Sequence, residues 1–350
     1  MFLQRRTSTG LDIGEYNVKF SIIEADGGRI RNLWHEEVMP ERQSQNDALD
    51  EATLRERLET LGASVRMKFP NVKKPVSTPI QGESVVCQYL ELPQVSPKEL
   101  DLAVNSMARR HVPFPMESVS ISYMSVPQLS RGAKRSAVFF IAVEKSAVQR
   151  MQTLVSTMGF ELKRPEITPL ALVREFSRNH DTPKDQFTAL LHIGFRQTYF
   201  IVLRQHNPYY VRNFTPAGRD FTYAFQMGNQ SSWEAAEHVK RNYNCLDRDV
   251  SVEPFLLRWL EEVKRSMEFF RTQVLSADDG VSQVFMSGGG GRVAGAGRAA
   301  LQRDRHAGRA GLLGPLPAHG YRLAARGRLP LQARGGRLPG RLTFIKKGGF

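Results

Sequence analysis

Gly10-Leu11-Asp12-Ile13-Gly14 and Leu191-His192-Ile193-Gly194-Phe195 stand about half a chain apart and share one design. Each is an apolar strand that ends in a glycine turn, and each leads into a second apolar strand, residues 18–23 and residues 198–203. A strand-turn-strand unit of this kind presents backbone N–H groups at its tip, where an anion can sit. A later turn, Ser287-Gly288-Gly289-Gly290-Gly291, supplies a third flexible backbone segment. Two such hairpins facing one another predict a nucleotide held between two halves of one molecule.

The surrounding pattern repeats as well. Residues 9–39 read as a β-meander with an Asp26-Gly27-Gly28 turn, and residues 187–214 read as a second meander. A helix is expected over 49–69, with Leu54, Leu58, Leu61 and Val65 on one face. Between the meanders, residues 84–167 read as β-α-β-β-α-β, a compact α+β module. Its first helix opens on Ser96-Pro97 with Glu99 three residues after the cap. After the second meander come helices near 219–228 and 231–243, then a long one over 253–274 whose stripe is Phe255, Trp259, Val263, Met267 and Phe270. A strand over 281–286 delivers the glycine turn.

With 350 residues the chain has enough length for two or more domains. No apolar run approaches the roughly eighteen residues of a membrane-spanning helix, and residues 1–10 lack the apolar core of a signal peptide. Two isolated cysteines, Cys87 and Cys245, argue against a disulfide framework or zinc site and fit a reducing cytoplasm. The net charge of +14 is misleading, because residues 292–350 hold 11 Arg and 2 Lys against the single acid Asp304. Residues 1–291 therefore carry only about +2, which removes the case for nucleic-acid binding.

That last segment is anomalous in composition. Gly, Ala, Arg and Leu make up 42 of its 59 residues, and no helical or strand period persists. It reads either as a disordered basic tail or as a frame error in GC-rich coding DNA, since all four residues have GC-rich codons. Codons can be chosen for residues 300–311 so that a one-base shift yields an ordinary globular sequence.

Taken together, these motifs resemble the actin-like ATPase superfamily and, within it, the PilM family of type IV pilus assembly proteins, relatives of the cell-division protein FtsA. The resemblance rests on Asp12-Ile13-Gly14, Lys19 five residues after the glycine, the inserted module, Ile193-Gly194, Ala236-Glu237-His238-Val239-Lys240 and Ser287-Gly288-Gly289-Gly290. Two longer segments add to it: His111-Val112-Pro113-Phe114-Pro115, and residues 262–270 (EVKRSMEFF). It spans residues 9–291.

The resemblance implies an α/β fold of two lobes with duplicated ribonuclease-H-like halves and an insert in the place of FtsA subdomain 1C. Residues 1–83 would form the first lobe (subdomain 1A), 84–164 the insert, 165–184 the return to the first lobe, and 185–291 the second lobe. It implies a cytoplasmic scaffold at the inner face of the membrane that binds the cytoplasmic tail of a PilN-like membrane protein, alongside other pilus assembly proteins. An active actin-like ATPase and an FtsA-like filament protein are the competing readings.

For the cleft, the resemblance implies ATP with Mg²⁺. Asp12 would hold the metal through water, or else bond its own turn. Gly14 would admit a phosphate or merely serve the hairpin, and Lys19 would point into the cleft or to solvent. Gly194 and Thr198 belong to the second phosphate loop, and Gly218 to the loop before the next helix. Glu237 and Lys240 would contact ribose and adenine, or form a solvated ion pair. Gly288 and Gly289 would let the backbone pass close to the base.

Four positions depart from the family pattern. Glu15 and Tyr16 stand where small hydroxyl residues are usual, His192 replaces an Asp, and Ala217 replaces the first of two glycines. A carboxylate beside a triphosphate is repulsive, a histidine does not position a hydrated metal in the same way, and an alanine restricts φ. The expectation is an eroded polyphosphate end, an intact adenosine end, and no catalytic residue.

Overall fold

The computed structural model describes residues 6–26, 29–38, 51–72, 74–130, 132, 134–180, 182, 184–242, 250–274 and 280–292. The Gly27-Gly28 turn and residues 293–350 of the anomalous segment lie outside these.

Strands β1 (Arg6–Ile13), β2 (Val18–Asp26) and β3 (Arg29–Val38) form the first antiparallel meander. Helix α1 (Glu51–Lys68) follows, then β4 (Pro75–Ile80), which runs parallel to β1. Next come β5 (Val85–Pro93), α2 (Pro97–Ala108), β6 (Val119–Ser125), β7 (Arg135–Glu144), α3 (Lys145–Thr157) and β8 (Glu161–Ile167). Helix α4 (Thr168–Asn179) leads to the second meander, β9 (Phe187–Ile193), β10 (Thr198–Arg204) and β11 (Asn207–Phe214). Helices α5 (Gly218–Asn229), α6 (Trp233–Asn242) and α7 (Glu253–Phe269) precede β12 (Val281–Ser287) and a closing 3-10 turn over Gly289–Arg292.

The first-lobe sheet has the order β3-β2-β1-β4-β8 and the second-lobe sheet the order β11-β10-β9-β12. Each lobe thus places an antiparallel meander beside a strand parallel to its first member. The duplication predicted from the two hairpins extends to four strands of each sheet, and β8 is an addition to the first.

Side-chain alternation explains which faces are covered. Along β2, Val18, Phe20 and Ile22 are buried against Leu54, Leu58, Leu61 and Val65 of α1 and Leu154 and Val155 of α3. α1 and α3 approach so closely that a Cβ on Gly62 would lie 2.3 Å from the Met158 carbonyl oxygen. β9 and β10 are buried on both faces, which is why they read as continuous apolar runs. Trp259 and Val263 of α7 share a core with Leu191 and Phe200 on one side, while Val173 and Phe176 of α4 cover Leu190 and Ile201 on the other.

Strand pairing corrects two sequence-based boundaries. β8 hydrogen-bonds to β4 in the first-lobe sheet, and α3 packs on α1. The inserted module is therefore β5-α2-β6-β7, a three-stranded sheet of order β5-β7-β6, and the β-α-β-β-α-β reading of 84–167 joined two separate units. In addition, α4 is not confined to the first lobe, since its apolar face seals second-lobe strands. β7 shows why the module sits where it does. Val138, Phe140 and Ala142 face α2, whereas Ala137, Phe139 and Ile141 join the core of the second lobe.

Candidate nucleotide cleft between two hairpins

The two hairpin tips are built alike. The Gly14 amide donates to the Asn17 carbonyl at 3.0 Å, and the Gly194 amide donates to the Gln197 carbonyl at 2.9 Å. A Cβ at either glycine would sit 2.9 Å from the oxygen that accepts this bond. Both positions need glycine because the tip folds back on itself.

The tips also meet. Glu15 Oε2 lies 2.7 Å from Arg196 Nε, and the Tyr16 and Phe195 rings pack with centroids 5.2 Å apart. The residues after each glycine are acid then aromatic in the first hairpin, and aromatic then base in the second. That order lets the loops pair crosswise, Glu15 on Arg196 and Tyr16 on Phe195. Tyr199 adds a second tie between the lobes, its hydroxyl accepting from the Gly82 amide at 3.1 Å. Neither Glu15 nor Tyr16 is therefore a mere departure from pattern, and Arg196 is a cleft residue that motif matching missed.

Asp12 and Lys19 stand opposite each other in the β1–β2 ladder, and Lys19 Nζ donates to Asp12 Oδ2 at 3.1 Å. Facing them, His192 Nδ1 lies 3.0 Å from Ser287 Oγ. Burial drives the His192 imidazole down to about 4, with Asp12 opposing the shift, so the ring is neutral near pH 7. The donor set fits magnesium poorly. One Asp12 oxygen is engaged by an ammonium, the second loop offers a neutral imidazole, and no cluster of three or more metal-ligating side chains exists among the described residues.

Thr198 is fully buried, donating to the Pro216 carbonyl at 3.0 Å and accepting from Trp259 Nε1 at 3.2 Å. It ties the second hairpin to α7. The start of α5 is closed onto that hairpin too: Gly218 N–H donates to the Gly194 carbonyl at 2.9 Å, and Arg219 N–H to the Phe195 carbonyl at 2.8 Å. Ala217 has φ −142° and ψ −166°, extended backbone open to any residue, so the expected penalty for losing a glycine there does not arise.

At the adenosine end the picture differs from the sequence-based one. Glu237 and Lys240 are 8% and 2% exposed and pair at 2.6 Å, a buried ion pair and not a solvated one. Lys240 Nζ donates to the Gly218 carbonyl, Thr222 Oγ1 and Glu237 Oε2, so all three of its hydrogens are committed. Thr222 also donates to Glu237 at 2.7 Å. Burial pushes the Glu237 carboxyl up, but Lys240, Thr222 and Arg241 outweigh it and leave it below the ordinary value. Burial lowers Lys240, with Glu237 opposing. The pair and Thr222 hold α5 to α6.

The glycine turn behaves as two halves. Gly288 has φ +90°, and a Cβ there would fall 2.3 Å from the Ile193 carbonyl oxygen. Among the described residues, a Cβ at Gly289 would meet nothing within 4 Å. Gly288 thus serves the β9–β12 junction, and Gly289 does not.

A separate groove of about 820 Å³ separates the inserted module from the second lobe. Tyr89 and Glu91 of β5 line one side, and Tyr210 and Arg212 of β11 with Phe269 of α7 line the other. β5 and β11 are both terminal strands of their sheets.

The family model for the type IV pilus assembly protein PilM matches residues 10–305. The chain belongs to the PilM family. This match continues past residue 291, where the motif resemblance ended, to residue 305. Among solved structures, a PilM–PilN type IV pilus biogenesis complex aligns at TM-score 0.67 and 23% identity, over 84% of this chain and 85% of that one. The ethanolamine utilization protein EutJ from Carboxydothermus hydrogenoformans aligns at TM-score 0.50 and 14% identity, over 88% of this chain and 84% of that one. At these identities the likeness is one of fold, and it places this PilM family member among two-lobed actin-like ATPase folds. No helix among the described residues is long and apolar enough to cross a membrane.

Proposed function

We propose that this PilM family member is a scaffold of type IV pilus assembly that captures the cytoplasmic tail of a PilN-like membrane protein at the inner face of the membrane. It binds adenine nucleotide weakly and hydrolyses it negligibly. The observation that carries this reading is the direct contact of the two hairpin tips, Glu15 on Arg196 and Tyr16 on Phe195, across the cleft. A hydrolytic site needs a group that positions water beside the terminal phosphate. The second loop provides His192, neutral and held by Ser287, in that place.

The groove between the inserted module and the second lobe is the surface we assign to the tail. Terminal strands accept an extended peptide by main-chain pairing, and aromatic walls take its apolar side chains. Phe269 is 51% exposed and stacks on Tyr210 at 5.7 Å, an anchor of the kind such grooves use. The test is capture of a synthetic peptide, the N-terminal cytoplasmic residues of a PilN-like single-pass membrane protein, by the full-length protein. Saturable micromolar binding is expected, and no binding up to millimolar peptide contradicts the assignment.

A further inference from the structure

Two guanidinium groups near the cleft have incomplete hydrogen bonding. Arg196 Nε is buried and makes an ion contact with Glu15, yet its N–H is not directed at any acceptor among the described residues. Arg219 Nε is buried without a hydrogen-bond partner as well, its nearest carboxylate being Asp220 at 3.7 Å. That carboxylate is already engaged, since Asp220 Oδ2 accepts from the Ala217 amide at 2.8 Å. The two arginines belong to segments joined by the Arg219 N–H to Phe195 carbonyl bond. Buried guanidinium N–H groups without acceptors are costly, and a planar fork of donors matches phosphate oxygens.

Four backbone amides of the cleft are already committed. Gly14 and Gly194 amides are used within their own turns, and the Gly218 and Arg219 amides are used on loop carbonyls. Asp12 is engaged by Lys19, which makes it a poor metal ligand. Guanidinium chemistry is available at this point of the cleft, with Glu15 in contact with Arg196.

We propose that Arg196, with Arg219 on the adjoining segment, binds the polyphosphate of an adenine nucleotide without a divalent cation, and that the phosphate displaces Glu15 from Arg196. The inference rests on the nucleotide-binding reading above and deepens it. Glu15 acts as an internal competitor that sets the affinity low. A phosphate chain that takes its place breaks the Glu15–Arg196 contact and leaves Tyr16 on Phe195 and Tyr199 on Gly82 to join the lobes.

The test is calorimetric titration of the full-length protein with ATP, adenosine and inorganic tripolyphosphate, each in excess Mg²⁺ and in excess EDTA. ATP affinity is expected to change less than about threefold between the two conditions. Arg196→Gln is expected to weaken ATP and tripolyphosphate about tenfold or more while leaving adenosine unchanged, and Arg196→Lys to lose less. Glu15→Gln is expected to tighten both phosphate ligands. ATP that binds only with Mg²⁺ and ignores Arg196→Gln overturns this inference and leaves nucleotide binding standing. If neither ATP nor adenosine binds in any condition, both fall.

Discussion

Glu237 and Lys240, one helical turn apart on α6, form a buried ion pair at 2.6 Å that also binds Thr222 of α5. The pair fastens two helices of the second lobe together. Removing Lys240 leaves the buried Glu237 with Thr222 and a longer Arg241 contact at 3.4 Å, and breaking a buried pair costs about 3–5 kcal/mol. Lys240→Met is therefore expected to destabilise by that amount in urea unfolding. Glu237→Gln combined with Lys240→Met should cost less than Lys240→Met alone, because no buried carboxylate is then left without its lysine.

Glycine is required at the hairpin tips for space. Gly14→Ala and Gly194→Ala each bring a Cβ to 2.9 Å from a carbonyl oxygen that must stay in place to close the turn. A loss of about 1–3 kcal/mol is expected for each, read from the denaturation midpoint. Gly289→Ala, whose Cβ meets nothing within 4 Å among the described residues, is the internal control and should change stability by less than about 1 kcal/mol.

His192 gives a pH signature. Its folded-state value of about 4 lies below the ordinary 6.5, so between these values the unfolded chain binds the extra proton. Stability contributed by the neutral imidazole is full above about pH 6.5 and is lost as pH falls toward 4. The loss is on the order of 3 kcal/mol across that window. His192→Asn, which keeps a polar partner for Ser287, should flatten this part of the stability profile. An unchanged profile would assign the acid sensitivity to other groups.

The groove prediction separates the two functions. Phe269→Ser should weaken tail-peptide binding about tenfold or more and leave adenosine and ATP affinity unchanged. Equal peptide binding by the variant would remove the tail from this groove.

The cross-lobe contact is exposed, with Arg196 and Glu15 at 37% and 45%. A double-mutant cycle of Glu15→Gln and Arg196→Gln should give a coupling of only about 0.2–1 kcal/mol. The ion pair is thus easily exchanged for a stronger anion, as the proposed phosphate displacement requires.

Much of this molecule could be read in the sequence because its key signals are local. Ile13-Gly14 and Ile193-Gly194 specified two hairpins, and their equivalence specified a duplicated fold. β4 escaped notice because Pro75 and Pro79 lie in a strand of six residues, although Val76, Thr78 and Ile80 alternate inward. α4 was lost in the run-on from β8, although Pro169 near its start is a readable helix signal. The membership of α3 and β8 could not be read at all, since a strand's own pattern does not say which sheet it joins. The same limit applies to the cleft. Glu15 and Arg196 are 181 positions apart, and only the approach of the lobes turns them into partners.

The account holds that the cleft of this PilM family member is a low-affinity nucleotide clasp on a scaffold and not a motor. Steady-state phosphate release by the full-length protein, with saturating ATP and Mg²⁺ and with the tail peptide present, tests this most directly. The predicted result is turnover slower than about one per hundred seconds, far below the rates of working enzymes. Turnover of about one per second or faster would contradict it.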